Sequence, residues 1–232
     1  MLAQFVLYDG FDPLDVVAPL EVLTAGGIRA GLVSAEGPRE VPSGLGLPSL
    51  RATAALDPGR GGLVVVPGAA GRIPAADGDG DGDDYDYGNG DGEDGDTVPA
   101  VLARALRTGL PPLLRTALER PDVTVATVCG GSLLLAMAGL IGGRPVTGHH
   151  LGTAGLRAAG ATVVDARVVD DGDLVSAAGV TSGLDLALHL LERERGPRVA
   201  HSVERLFAHE RRGVVWRAED SVFAGPAGPA GA

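Results

Sequence analysis

The chain has 232 residues, of which 45% are hydrophobic and 3% aromatic, so it can form one α/β domain with a core of Ala, Val and Leu. Its single cysteine excludes an internal disulfide and a tetrathiolate metal site. The net charge of −11 comes from residues 77–96, which hold ten acidic residues and no basic ones, while the rest is nearly balanced. Without clustered Lys and Arg, no nucleic-acid surface is expected.

Apolar segments with strand and helix patterns alternate along the chain. Strands are predicted at 2–8, 29–35, 62–66, 123–128, 144–147, 162–169 and 174–177, with a weak extended region at 42–53. Helices are predicted at 14–25, 98–107, 113–119, 131–138, 151–159, 181–195 and 197–210. This alternation predicts a single α/β domain over 1–210, with a mainly parallel sheet covered by helices on both faces.

Residues 77–96, with the sequence DGDGDGDDYDYGNGDGEDGD, interrupt this pattern. Their high charge and low hydrophobicity predict a disordered, solvated insert. Repeated Asp-Gly is also compatible with weak calcium binding, although the spacing matches neither a helix-loop-helix calcium loop nor the nonapeptide repeat. Residues 211–232, rich in Gly, Pro and Ala at their end, are expected to form a largely flexible tail.

No apolar run reaches the roughly 18–20 residues that a membrane-spanning helix needs. The first residues also lack the basic region and apolar stretch of a signal peptide. A lone free cysteine suits a reducing compartment. The expected location is therefore the cytoplasm, without membrane association.

Three loops follow predicted strands and should meet at one edge of the sheet. They are residues 9–15, 67–71 and 129–132. In open α/β sheets, chemistry gathers at the carboxyl ends of the strands. A functional site is therefore predicted where these loops converge.

Cys129 is the candidate nucleophile of this site. It stands between a β-branched strand and a helix, followed by Gly130 and Gly131, which let neighbouring backbone approach closely. The helix N-terminus is expected to stabilise a thiolate and to lower the thiol pKa below about 8.5. The alternative interpretation is a buried core cysteine without chemistry.

The sequence resembles the ThiJ/PfpI superfamily, which has a class I glutamine amidotransferase-like, flavodoxin-type fold, and within it the isonitrile hydratase-like branch. The resemblance covers about residues 2–210 apart from the insert. The matching segments are LYDGFDPLDVVAPLEVL at 7–23, VPG at 66–68, VCGGSLLLA at 128–136, AGL at 138–140, GRPVTGH at 143–149 and GVTSGLD at 179–185.

This resemblance implies roles for individual residues. Asp15 matches the acidic residue that hydrogen-bonds the reactive cysteine, although an Asp in the first turn of a helix also stabilises the helix dipole. Gly68 and Gly130 match backbone N–H donors of an oxyanion-type hole. His149 matches a position near the site, with a hydrogen-bonded structural histidine as the alternative.

Ala69 and Gly131 are further expected to line the site, and neither a metal nor a cofactor is implied. Two positions depart from the family pattern. The usual Cys-Thr-Gly is Cys129-Gly130-Gly131 here, which removes a hydroxyl beside the nucleophile, and the usual Pro-Gly-Gly is Pro67-Gly68-Ala69.

The leading functional hypothesis is a lyase that hydrates a small-molecule isonitrile to an N-substituted formamide through a thioimidate on Cys129. A second hypothesis is a non-catalytic ligand or redox sensor, because a low-pKa cysteine oxidises readily. A third is a structural member retained for dimerisation. By resemblance alone, a homodimer is expected.

Overall fold

The computed structural model of the protein describes residues 1–46, 48–73, 85–87 and 97–218. Fourteen strands lie in these ranges: β1 (Leu2–Leu7), β2 (Arg29–Ser34), β3 (Arg39–Pro42), β4 (Ser49–Ala52), β5 (Ala54–Ala55), β6 (Gly62–Val66), β7 (Gly71–Ile73), β8 (Tyr85–Tyr87), β9 (Val123–Val128), β10 (Pro145–Val146), β11 (Thr162–Val163), β12 (Val168–Asp170), β13 (Leu174–Ala177) and β14 (Trp216–Arg217).

Seven α-helices lie in the same ranges, and none is long and apolar enough to cross a membrane. They are α1 (Pro13–Ala25), α2 (Val98–Ala105), α3 (Leu110–Leu118), α4 (Gly131–Met137), α5 (Thr153–Ala158), α6 (Ser182–Arg195) and α7 (Pro197–Leu206).

An eight-stranded sheet in the order β14-β12-β13-β9-β6-β1-β2-β5 forms the centre of the fold. All neighbours pair in parallel except β12 and β13. The mainly parallel α/β sheet predicted from the sequence is therefore confirmed. In register, Phe5 lies between Leu32 of β2 and Val65 of β6.

The central strands are buried along nearly their whole length, which requires cover on both faces of the sheet. Helix α1 packs against α6 and α6 against α7, while α3 contacts β9 and α2 contacts α4. Parallel pairing places the carboxyl ends of β1, β6, β9 and β13 at one edge. Loops that follow these four strands can therefore meet in one site.

Helix α3 begins three residues before the predicted residue 113. The sequence prediction treats Pro111 and Pro112 as a separator, whereas both lie in the first turn of α3. Proline suits this position because the first helical N–H groups have no intrahelical acceptor.

Most of the acidic insert lies outside the described residues. Its residues 85–87 form β8, which pairs antiparallel with β7. The predicted disorder does not hold for residues 85–87; for the rest of the insert, that prediction and the calcium alternative concern residues that are not described.

Residues 211–218, assigned from the sequence to the tail, are attached to the domain. The backbone N–H of Arg212 donates to Asp185 Oδ1 at 2.9 Å. Beyond it, β14 pairs in parallel with β12, with Trp216 opposite Val169. A two-residue strand has too short a pattern to be recognised in sequence. Residues 219–232 lie outside the described part of the chain.

Candidate active site

Cys129 occupies the tight turn between β9 and α4. Its backbone N–H donates to the carbonyl of Ala177 at 3.1 Å, and its φ of 56° lies in the left-handed region. Residues other than glycine rarely adopt this conformation, which costs of order 1–3 kcal/mol and concentrates at functional sites. The sequence-based placement of Cys129 on a strand-to-helix turn is correct.

Two of the three glycines around Cys129 are required by close packing. A Cβ at Gly131 would lie 2.3 Å from the carbonyl oxygen of Val66, and a Cβ at Gly68 would lie 2.6 Å from the nitrogen of Gly130. At Gly130 itself, a Cβ would meet only ordinary contacts, the nearest at 3.4 Å. The glycine at 130 is therefore not imposed by space.

Asp15 lies in the first turn of α1 and is completely buried. Its Oδ2 accepts a hydrogen bond from the N–H of Gly68 at 2.8 Å, whereas Oδ1 has no hydrogen-bond partner among the described residues. Burial raises the pKa of Asp15, the nearby charge of Asp12 raises it further, and the Gly68 hydrogen bond lowers it. A protonated Asp15 is thus favoured, with Oδ1 free to carry the proton.

This arrangement corrects the expected role of Gly68. Its N–H is used by Asp15 and does not point to an oxyanion as a free donor. The expected hydrogen bond between Asp15 and Cys129 is also not formed between the described atoms, because Asp15 Oδ1 is unpartnered. The proximity of Asp15 instead disfavours the thiolate, because ionised Asp15 would repel it.

The expected lowering of the thiol pKa is wrong for this structure. Cys129 is only 8% exposed, and burial raises the pKa of its thiol. The charges of Asp15 and Asp12 raise this pKa further, and only the N–H of Gly130 lowers it. Two carboxyl groups and the loss of solvent thus outweigh the helix N-terminus.

Two residues near Cys129 escaped the sequence prediction. The hydroxyl of Tyr8 donates to the carbonyl of Pro67 at 2.9 Å, and burial followed by the charges of Asp15, Cys129 and Asp12 raises its pKa. Asp12 is 1% exposed and caps α1, where its Oδ1 accepts from Leu14 N–H at 2.9 Å. Because Asp12 directly precedes Pro13, a residue typical of a helix start, the sequence indicates a helix cap at Asp12 and gives no sign of a second role.

A cavity of about 770 Å³ opens at this edge of the sheet. Its wall is mostly apolar: Leu14, Ala69, Val98, Pro99, Leu133, Leu151, Leu156 and Val180. The polar or reactive side chains in the wall are Asp12, Cys129, His149, His150 and Thr181. Such a cavity suits a small, largely apolar molecule.

The cavity wall contains some of the predicted site residues and adds others. Within the described part of the chain, its wall includes His149, Ala69 and Gly130, but not Gly131 or Asp15. Val180 and Thr181 follow β13, which the sequence prediction did not include among the converging loops. Strand β13 is only four residues long and follows an acidic turn, so its sequence pattern does not indicate that its carboxyl end lies at the site.

His149 faces this cavity as a neutral imidazole. Its Nδ1 accepts from the N–H of Leu151 at 3.3 Å, and its ring lies 4.3 Å from that of His150. Burial lowers the pKa of His149 and the neighbouring His150 lowers it further. With Nδ1 accepting, the proton of the neutral ring is on Nε2.

His189, His201 and His209 contact carboxyl groups and do not line the cavity. His189 is buried and lies 2.7 Å from Asp170 Oδ2, and His209 lies 3.2 Å from Asp185 Oδ1. No group of three or more His, Cys, Asp or Glu among the described residues is placed to hold a metal ion.

Residues 105–193 match the model of the DJ-1/PfpI family. The matched segment contains Cys129 and the cavity residues His149 and Thr181. The isonitrile hydratase of Pseudomonas putida is 41% identical over 80 residues, which are 34% of this chain and 35% of the hydratase. The match thus spans about a third of each protein.

Solved structures of related fold superpose on most of the chain. DJ-1beta of Drosophila melanogaster gives a TM-score of 0.70 at 18% identity, covering 90% of this chain and 98% of that one. A THiJ/PfpI family protein of Pseudomonas syringae gives 0.68 at 24% identity, covering 91% and 76%. Schizosaccharomyces pombe DJ-1 gives 0.63 at 16% identity, covering 90% and 100%. These similarities confirm the expected flavodoxin-like fold.

Proposed function

We propose that this chain, whose residues 105–193 match the DJ-1/PfpI family model, is a member of that family and a cysteine-dependent enzyme that hydrates isonitriles to N-substituted formamides. One observation carries the proposal: Cys129 lies in a strained turn, on the wall of an apolar cavity, beside the buried carboxyl group of Asp15. Similarity to an isonitrile hydratase over 80 residues supports the choice of substrate.

The first step suits a thiol that keeps its proton. The terminal carbon of an isonitrile must gain both a nucleophile and a proton. Cys129 sulfur bonds to this carbon, and the thiol proton, relayed by Asp15, ends on the same carbon to give the thioimidate R–N=CH–S–Cys. The raised pKa values of both groups hold this proton in the site until substrate arrives.

In the second step, water adds to the thioimidate carbon and the C–S bond breaks. The two protons of the water end on the substrate nitrogen and on the Cys129 sulfur, and the formamide leaves. The N–H of Gly130 already interacts with the sulfur and is the remaining one of the two expected backbone donors. It can stabilise negative charge as it develops beside sulfur.

Turnover of isonitriles tests this function. The protein is incubated with a panel of neutral isonitriles with alkyl, cycloalkyl and aryl groups, and the formyl proton of the product is followed by NMR. Formamide must appear with the wild type and be absent with Cys129→Ala. Equal rates for the two proteins across the whole panel would refute the hydratase function.

A redox sensor is the second candidate, and the site disfavours it. Peroxide reacts with thiolates, and a buried thiol with a raised pKa is a poor target. Intact-mass analysis after mild peroxide treatment separates the two functions. Rapid oxidation of Cys129 without turnover of any isonitrile would favour the sensor.

A further inference from the structure

Two side chains of the cavity wall, His149 and Thr181, lie close together on one side of the cavity. A Cβ at Gly179 would lie 3.8 Å from Cδ2 of His149, so the ring edge formed by Cδ2 and Nε2 lies beside the loop that contains Thr181. The carboxyl group of Asp12 does not compete with these two side chains, because its Oδ1 accepts from Leu14 N–H and its Oδ2 is buried.

His149 has an accessible N–H group. Its Nδ1 accepts from Leu151 N–H at 3.3 Å, which leaves the proton of the neutral ring on Nε2. Within the described part of the chain, Nε2 has no hydrogen-bond partner, and it is not among the buried polar atoms. A neutral imidazole in this tautomer donates a hydrogen bond at Nε2 and cannot accept one there.

Thr181 has a hydroxyl proton beside this ring. Its Oγ1 accepts from Arg167 Nη2 at 3.1 Å in an exposed hydrogen bond, and no acceptor for the hydroxyl lies among the described residues. Arg167 is held in turn by Asp185, whose Oδ2 accepts from Arg167 Nε at 2.6 Å. A hydroxyl whose oxygen accepts one hydrogen bond still has its own proton to donate, so Thr181 is a second donor.

Both donors call for an acceptor on the ligand, and the surrounding charges favour a neutral one. No Lys or Arg is among the described residues of the cavity wall, and the charge of Arg167 is balanced by Asp185. Asp12 and Asp15 lie near the sulfur, where their charge would repel an anion. The carbonyl oxygen of an ester or amide has two lone pairs and no charge, and it can accept from both donors.

The two donors also lie near Cys129. His149 follows Gly148, where a Cβ would lie 3.2 Å from the carbonyl oxygen of Cys129. Thr181 lies shortly after Ala177, whose carbonyl accepts from Cys129 N–H at 3.1 Å. A molecule that reacts at Cys129 can therefore reach both donors through a short spacer.

We infer that His149 Nε2–H and the Thr181 hydroxyl select isonitriles that carry a neutral carbonyl group close to the isonitrile nitrogen, such as esters and amides of isocyanoacetic acid. This inference rests on the proposed hydratase function and names its substrate class. The two side chains bind the carbonyl oxygen and take no part in proton transfer.

The test compares methyl isocyanoacetate with pentyl isonitrile, which has the same number of non-hydrogen atoms and no carbonyl group. His149→Asn keeps an acceptor for Leu151 N–H but lacks Nε2, and Thr181→Val removes only the hydroxyl. In each variant, the ratio of kcat/KM for the ester to that for pentyl isonitrile should fall about 3–10-fold, through a higher KM for the ester, as for loss of one neutral hydrogen bond. The intrinsic reactivity of each isonitrile is the same for every variant, so the change in the ratio reports recognition alone.

His201→Asn and Thr116→Val are the matched controls, because neither residue lines the cavity, and both should leave the ratio unchanged. An unchanged ratio in either cavity variant would overturn the inference, because the carbonyl oxygen would not be held by both groups. Equal losses of turnover for both isonitriles would also overturn it, since the two side chains would then act only on the structure. In these cases the hydratase function stands. If the wild type converts neither isonitrile, the hydratase function fails, and the inference fails with it.

Discussion

Two features of Cys129 carry an energetic cost: its backbone φ of 56° and the burial of its thiol next to two carboxyl groups. Neither cost improves the stability of the fold, and both place the sulfur on the cavity wall. A cysteine kept only for packing needs neither feature. The local geometry therefore supports a chemical role, and the raised pKa indicates that the thiol meets substrate in its protonated form.

Asp15 is expected to favour activity at the expense of stability. Asp15→Asn should reduce turnover about 10²–10⁴-fold, because the proton relay is lost. The raised pKa of folded Asp15 means that its contribution to stability is full below about 3.9 and is lost as the pH rises. The free energy of unfolding of the wild type, relative to Asp15→Asn, should therefore fall between pH 4 and 8 in urea titrations.

A relative stability that rises over this range would show that Asp15 is stabilised as a carboxylate. The informative quantity is how the difference in free energy of unfolding between the wild type and Asp15→Asn changes with pH. A buried Asn also places an N–H₂ group where Asp15 Oδ1 has no described partner, which changes stability by a constant amount. Only the variation with pH reports the protonation of Asp15.

Gly130 and Gly131 should respond oppositely to substitution. A Cβ at Gly130 has room, with its nearest contact at 3.4 Å, and Gly130 lies in the cavity wall, so Gly130→Thr should destabilise the protein less than Gly131→Ala does. It adds the hydroxyl that the family pattern expected from the sequence places after cysteine, and under the proposed function it should increase formamide production. Gly131→Ala should destabilise the protein by about 1–3 kcal/mol, because its Cβ would lie 2.3 Å from the Val66 carbonyl.

Urea denaturation and turnover of the same isonitrile measure both effects. Gly131→Ala serves as the control for disturbance of the loop after Cys129. Loss of activity in Gly130→Thr at unchanged stability would mean that this cavity is adapted to a bare glycine and to a different substrate.

At the scale of elements, Asp170 of β12 joins the sheet to α6. It lies 2.7 Å from His189 Nε2 and accepts from Arg193 Nη1 at 3.1 Å. Burial raises the pKa of Asp170, but the hydrogen bonds from His189 and Gly172 and the charge of Arg193 produce a net lowering. This carboxylate is therefore stabilised in the folded state, unlike Asp15.

Asp170→Asn should lower the free energy of unfolding by about 1.5–3 kcal/mol at neutral pH, the range for hydrogen bonds to charged groups. A lowered pKa gives stability that is present above about 3.9 and is lost as the pH falls through the folded value. The difference between wild type and Asp170→Asn should shrink on acidification, in urea titrations from pH 6 to 2. A difference independent of pH would assign the effect to packing alone.

Elements with long patterns were predictable, and the chemistry that depends on distant neighbours was not. The apolar runs at β1, β6 and β9 and the glycines after Cys129 identify the strands and the turn from local sequence. The direction of the Cys129 pKa depends on Asp12 and Asp15, which are more than a hundred residues away in sequence and are brought close by the parallel pairing of β1, β6 and β9. The use of Gly68 N–H by Asp15 has the same origin.

On the scale of the whole molecule, Asp185 connects the end of the chain to the cavity. This buried carboxylate accepts from Arg212 N–H at 2.9 Å and from Arg167 Nε at 2.6 Å. Arg167 Nη2 in turn donates to Thr181 Oγ1 at 3.1 Å, and Thr181 lies in the cavity wall. A substitution or deletion within residues 211–218 can therefore alter the position of Thr181 in the cavity wall through the hydrogen bonds of Asp185 and Arg167.

Two truncated chains test this connection. A chain ending at residue 210, the domain boundary predicted from sequence, loses β14 and one hydrogen bond to the buried Asp185, and should unfold about 1–3 kcal/mol more easily. A chain ending at residue 218 keeps both and is the reference for this comparison. Urea denaturation gives the stability, and hydrogen exchange of β12 amides reports the newly exposed edge. If the two truncated chains are equally stable, the domain ends at 210 and the contacts of Arg212 and Trp216 add nothing to its stability.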